Sequence, residues 1–357
     1  MTPLSSHERF RRMFAHQDAD RVPVIDSPWE ATVARWQQEG MPADVSYTDF
    51  FGLDRFVSPR LTDNSPRFPA RTISETENDI TFTSEWGVTM KQWKNAASTP
   101  EFLDFTIIDA DSWRKAKERI TLSDDRVRWD DLKKNYKTWR EQGAWIAPTA
   151  WFGFDVTHSW MVGTERVLVA LAEDPEWIVD MWKTELEMEL ALLDRVWEAG
   201  YTFDSIMWYD DMGYKQNQFF SLRMYRNLLK PFHQQAIDWA HAKGIPAHLH
   251  SCGDVRPFVP ELVNMGLDAL NPLEVKAGMD PILLKQQFGQ DLVFHGGINA
   301  VLWDQPEAIQ AEMERVVPVM KANGGYIFSS DHSVPSTVSL EDFRQIVALA
   351  KKLGSYE

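Results

Sequence analysis

The chain has a single cysteine, so no disulfide closes within it and no metal site can be built from several of its own thiolates. It has no apolar run near the roughly 20 residues needed to cross a bilayer. Its opening residues, Met1 to Glu8, are polar and lead into a helical pattern, so a soluble, cytoplasmic protein without a leader peptide is expected. Basic side chains are in short supply. The 37 Lys and Arg against 53 Asp and Glu leave a net charge of −16, which opposes binding to a nucleic acid backbone or an anionic membrane. Glycine and proline, at 18 and 19 residues, show none of the excess of a fibrous or disordered chain. No Gly-rich phosphate loop, nucleotide-binding fingerprint or Ser/His/Asp arrangement stands out.

What is present is enough for a large core: 357 residues, 44% of them hydrophobic. The 16 tryptophans serve either as core filling or as a platform for a flat hydrophobic ligand. Five times in the second half a helical pattern ends in glycine and a short apolar segment follows. Gly200 precedes Ser205 to Trp208, Gly244 precedes Ile245 to His250, and Gly266 precedes Leu267 to Leu273. Gly289 precedes Leu292 to Gly296, and Gly324 precedes Tyr326 to Phe328. Glycine just past a helix accepts the left-handed conformation that ends it, and this alternation predicts parallel β-α units. The stripes Ile309, Met313, Val316, Val317, Met320 and Met181, Leu186, Leu190, Leu193 mark two of the helices.

In the first half, Ser5 and Glu8 form a capping box, Arg21 to Asp26 reads as the first strand, and a helix begins near Trp29. The alternating stretch Thr72 to Trp93 reads as an inserted β-hairpin ahead of a strand at Ala144 to Pro148. No linker or repeat divides the chain. The expectation is an α/β chain forming one (β/α)8 TIM barrel domain over 1–357, with a small inserted β-hairpin in its N-terminal half.

Barrel active sites gather where the strands end. Those positions hold Tyr209, Asp210 and Asp211, then His250, Ser251 and Cys252, then Glu274, His295, and finally Asp331 and His332. Alternate residues of an extended segment point the same way, so His250 and Cys252 can share one ion. Zinc favours such nitrogen and sulfur donors, with Glu274 and Asp331 placed to supply oxygens. The plain alternative is a hydrogen-bonded core histidine beside an inert cysteine. Asp210 and Asp211 are candidates for proton transfer, or else belong to an acidic loop that caps the helix near Ser221. Trp29, Tyr209, His295 and His332 are candidates for substrate contact, and His158, Trp160 and Trp86 are weaker ones.

Several of these segments resemble one known family. His250 to Val255 (HSCGDV), Met265 to Asn271 (MGLDALN), the opening Arg9-Phe10 helix, Asp20 to Pro23 (DRVP) and Pro335 to Ser339 (PSTVS) are similar to the uroporphyrinogen decarboxylase superfamily. The resemblance spans nearly the whole chain. That superfamily joins haem-pathway decarboxylases and corrinoid-dependent methyltransferases on one barrel. Decarboxylases carry an arginine-rich motif after the first strand, where this chain has Asp26 to Glu30 (DSPWE) and its nearest arginine is Arg35. The methyltransferases carry His-x-Cys and a later cysteine, all binding zinc. His250 and Cys252 match, and Asp331 stands at the place of the later cysteine. The resemblance therefore implies a zinc-dependent methyltransferase that exchanges a methyl group between a small-substrate heteroatom and a corrinoid (cobalamin) on a partner protein. The alternatives are a decarboxylase and a family member that only binds a ligand or a corrinoid protein.

Overall fold

The computed structural model describes residues 3–94 and 99–356. Eight staves meet in parallel. Val24 of the first bridges Phe328 of the last, and Asp54 N–H, entering the second stave, donates to the Val24 carbonyl over 2.9 Å. Phe56–Val57 pairs with Trp145–Ile146, and Thr149–Ala150 carries that third stave on to Ile206–Tyr209. Ile206–Tyr209, Ala247–His250, Ala269–Asn271, Val293–His295 and Tyr326–Ile327 then pair in succession. Helices lie between successive staves, and the result is a (β/α)8 barrel.

The five strands expected in the second half are all present. The stripes Ile309 to Met320 and Met181 to Leu193 face inward on Pro306–Lys321 and Glu176–Glu198, with Leu190 only half-buried. Gly200, Gly244, Gly266 and Gly324 take positive φ after their helices, whereas Gly289 does not.

The first half departs from expectation in four places. The first stave makes isolated bridges at Arg21 and Val24 instead of a regular strand, because Pro23 has no N–H to donate. Phe56–Val57, two residues long, is a stave the sequence pattern did not announce. The hairpin is a four-stranded antiparallel sheet, Arg71–Glu75, Asp79–Thr83, Val88–Trp93 and Glu101–Phe105. Of the capping box only half forms. Ser5 Oγ accepts from Glu8 N–H at 3.2 Å, while the Glu8 carboxylate turns to Arg11 and Arg12, which hold it down to about 2.

Aromatic rings fill the barrel. Phe14 stacks on Trp145 at 5.1 Å between centroids, and Phe56 lies edge-on to His248 and tilted against His295. Burial keeps both histidines neutral: His295 is pushed down to about 3 and His248 also falls well below its usual value. Among the described residues no helix is long and apolar enough to cross a membrane.

The seam between the first two staves is locked by Asp54. Its side chain, 1% exposed, accepts from Arg9 Nη1 at 2.9 Å, Arg21 Nη1 at 2.5 Å, Ser6 Oγ at 3.0 Å and Val24 N–H at 2.8 Å. Removing one member of such a buried set leaves the others desolvated. Asp54→Ala should therefore lose about 3–5 kcal/mol in urea unfolding. Glu141→Ala, which breaks an exposed pair with Lys137, should change stability by less than about 1 kcal/mol.

Candidate metal centre

Parallel register places His250 opposite Tyr209 on one side and Asn271 on the other. The Asn271 amide nitrogen donates to the His295 carbonyl at 3.1 Å, which turns its oxygen to His250 Nδ1 at 2.5 Å. That oxygen can only accept, so Nδ1 carries a proton and, in the neutral ring, Nε2 holds the lone pair. Nε2 lies 3.4 Å from Cys252 Sγ and 3.7 Å from Asp211 Oδ1. Ligand atoms of Asp211, His250 and Cys252 all fall within 4.8 Å of one another. Two ligands of a tetrahedral zinc stand about 3.3–3.8 Å apart, as its bond lengths require, so the two separations from Nε2 already suit one ion.

The loops that deliver these groups are tightly built. Gly253 has φ +76°, and a Cβ there would sit 2.2 Å from the carbonyl carbon of Gly213. Only glycine lets the turn after Cys252 lie against the short hairpin formed by Gly213–Tyr214 and Asn217–Gln218. Cys252 N–H donates to Asp211 Oδ1 at 2.8 Å, and Ser251 Oγ accepts from Met212 N–H at 3.1 Å. The two strand ends are thereby tied together.

Electrostatics around the thiol ask for a cation. Burial pushes Cys252 well above the usual thiol range, and the carboxylates of Asp211, Glu274 and Asp155 push it further. Burial likewise raises Asp211, opposed chiefly by His250. Sulfur, nitrogen and oxygen donors crowded without a counterion form a set that a divalent ion would hold and that protons otherwise neutralise.

Asp210 and Asp211, adjacent in the chain, point to opposite sides. Asp210 is fully buried, with Oδ2 2.8 Å from His233 Nε2 and Oδ1 accepting from Asp155 N–H at 2.8 Å. Tyr225 OH closes the far side of His233 at 3.1 Å from Nδ1. The Asp210 carboxyl is therefore fully buried and does not line the cavity. Asp211, expected as a proton-transfer group, stands instead with the donors.

The remaining expected ligands are occupied otherwise. Asp331 accepts from Val275 N–H through Oδ2 and from Ala300 N–H through Oδ1, both at 2.8 Å. It staples two loops and lies outside the donor group. Glu274 Oε2 accepts from Gly253 N–H at 2.7 Å and Oε1 lies 3.5 Å from Lys276 Nζ. That carboxylate supports the Cys252 turn from beside the group.

His250 and Cys252 open on a cavity of about 670 Å³. Trp29, Tyr209, His295 and His332 all line it, as does Asp331. Trp160 packs edge-on to Trp151 and Phe102, Trp86 is buried against Trp151, and His158 stacks on Phe154, so none of these three lines it. Sequence reasoning missed Asn271, although its place opposite His250 follows once the two strands are aligned. It also missed His233, on a helix with no distinguishing pattern, and Asp26 and Tyr47, which line the cavity.

A parallel barrel with polar donors gathered where its strands end has the layout of barrel enzymes. The chain belongs to the uroporphyrinogen decarboxylase (URO-D) family, whose model matches residues 156–353. Among solved structures, a methyltransferase from Methanosarcina mazei overlays with a TM-score of 0.68 at 16% identity, covering 98% of this chain and 99% of that one. A psychrophilic glycoside hydrolase family 10 endo-β-1,4-xylanase overlays at 0.35 with 11% identity, over 63% of this chain and 83% of its own, too loosely to bear on function. A search of curated protein sequences finds no match.

If Asp331 only staples loops, Asp331→Ala should keep its zinc affinity within about tenfold while losing about 1–3 kcal/mol for the unpaired N–H groups. Asn271→Ala should do the reverse, weakening zinc about 10–100-fold in a competitive chelator titration with little loss of stability.

Proposed function

We propose that this protein is a zinc-dependent methyltransferase that moves a methyl group between a heteroatom of a small substrate and a corrinoid carried by a partner protein. The observation that carries the reading is the meeting of His250 Nε2, Cys252 Sγ and Asp211 Oδ1 on the barrel mouth. Family membership and the end-to-end overlay with a methyltransferase barrel are consistent with it. The chain is read as one domain over 1–357, working inside the cell, where a lone thiol stays reduced.

Zinc held there would act as a Lewis acid toward a substrate heteroatom. The residues of the chain do the rest. Asn271 fixes the imidazole so that Nε2 faces the donor group. Asp211 both draws in the Cys252 N–H and supplies an oxygen. Tyr209, whose ring centroid lies 4.4 Å from that of His250, walls one side of the approach. Neutral His295 lines the cavity without adding charge. The open mouth leaves the heteroatom reachable by a partner that docks over the strand ends.

The decarboxylase alternative needs cations for a polycarboxylate. Arg55 is the one Lys or Arg lining the cavity among the described residues, and Asp49 already engages it. The segment after the first stave supplies Asp26 and Trp29 in place of arginines.

Purified without chelator, the protein should hold about one zinc per chain by elemental analysis. Because the thiol is held in its protonated form, zinc uptake should release a proton. Affinity should therefore rise with pH, and Cys252→Ser should bind far more weakly. The zinc-loaded chain should consume free cob(I)alamin in the presence of the right methyl donor, followed by absorbance, and should not decarboxylate uroporphyrinogen. Steady release of coproporphyrinogen, or no zinc in carefully prepared protein, would overturn the reading.

A further inference from the structure

The cavity wall formed by the first and last staves carries a carboxyl that no Lys, Arg or His among the described residues pairs with. Val24 bridges Phe328 and Pro28 bridges Val334, so the segment 24–28 runs beside 328–334 and brings Asp26 against Ser330. Asp26 Oδ1 accepts from Ser330 Oγ at 2.7 Å and Ser27 N–H at 2.9 Å, and Oδ2 accepts from Ser330 N–H at 3.0 Å. Every one of these donors is neutral.

Two of the other charged side chains lining the cavity have ion-pair partners, and Asp331, like Asp26, accepts only from neutral donors. Asp54 is held by Arg9 and Arg21, Arg55 by Asp49, and Asp331 by two backbone N–H groups. Among the described residues Asp26 has hydrogen bonds and no countercharge, and it stands beside Asp331 on the same wall. Burial raises it to about 6, with Asp331 adding to the effect, so above that pH an anion faces the cavity and a cation would stabilise it.

Its neighbours on the wall are aromatic. Tyr47 lies close enough for the Asp26 charge to raise its hydroxyl pKa further, after burial. Trp29, three residues along, lines the same cavity, as does Tyr209 beside His250. A carboxylate that shares a space of about 670 Å³ with indole and phenol rings has the composition of sites that hold methylated ammonium groups. The spread-out positive charge of such a head is attracted to ring faces, and its methyls lose little on leaving water.

We infer that the cavity selects a small organic cation, a methylated ammonium compound whose head rests on Asp26 between Trp29 and Tyr47 while its remainder extends toward His250 and Cys252. The inference names a substrate class for the proposed methyltransferase and rests on that reading for its consequence. The binding itself can be tested independently.

The test is calorimetric titration of the full zinc-loaded chain with choline and with 3,3-dimethylbutan-1-ol, its neutral isostere. Choline should bind at least about tenfold tighter, the equivalent of about 1.4 kcal/mol. Asp26→Asn should abolish that preference while leaving zinc content and binding of the neutral compound unchanged. Trp29→Leu, a substitution at the half-buried start of a helix, should weaken choline without altering zinc. Equal affinity for the two compounds, binding of neither, or tighter binding of benzoate than of choline would overturn the inference with the zinc reading intact. A choline preference in a chain that binds no zinc would uphold the cation site and sink the proposed methyltransferase.

Discussion

The hydrogen bond between Asn271 Oδ1 and His250 Nδ1 decides where the unshared pair of the imidazole points, and the rest of the mouth is arranged around that direction. It exists because two parallel strands set His250 and Asn271 side by side and because the His295 carbonyl takes the other end of the amide. Three adjacent staves thus collaborate on one ring orientation. With Nε2 so aimed, the thiol two residues further along the same strand end and a carboxylate from the neighbouring one have one shared point to face. The acidic groups that raise the Cys252 thiol then favour whatever cation arrives there.

Neighbouring residues divide the labour. Asp211 faces the donor group, and Asp210 is turned away onto His233, whose other nitrogen meets Tyr225. Space is allotted as tightly: a Cβ on Gly153 would come 2.5 Å from Asp210 Oδ2, and one on Gly253 would strike Gly213. Turns of the wider i→i+5 type at Thr157–Met161 and Tyr225–Leu229 sit on both sides of this packed layer. They are local departures from regular helix of the kind that accompany functional sites. Asp331 and Glu274 also support the loops, Asp331 through two backbone N–H groups and Glu274 through one, with Lys276 near its other oxygen.

Much of this was legible in the residues, for identifiable reasons. Helix stripes and glycines marked the second-half β-α units because those staves are apolar and their helices amphipathic. Phe56–Val57 escaped because two residues carry no period. The inserted sheet read as a hairpin because its last strand, Glu101–Phe105, follows an interruption after Trp93 and is largely exposed. At the site, His250 and Cys252 were visible through their spacing together with the carboxylates at neighbouring strand ends and the resemblance of the HSCGDV segment. Asp331 and Glu274 had the right chemistry at the right strand ends, yet which N–H groups would claim their oxygens depends on loop contacts 56 and 21 residues away in sequence. Asp211 was recognised as functional but not as a metal donor, since the chain cannot reveal which of two adjacent aspartates points inward.

Zinc-edge X-ray absorption on the metal-loaded chain tests the central claim most directly. The account predicts a four-coordinate ion with one sulfur at about 2.3 Å and nitrogen or oxygen ligands at about 2.0–2.2 Å, the sulfur disappearing in Cys252→Ser and one light-atom ligand changing in Asp211→Asn. A spectrum of light atoms only, unchanged by either substitution, would contradict it.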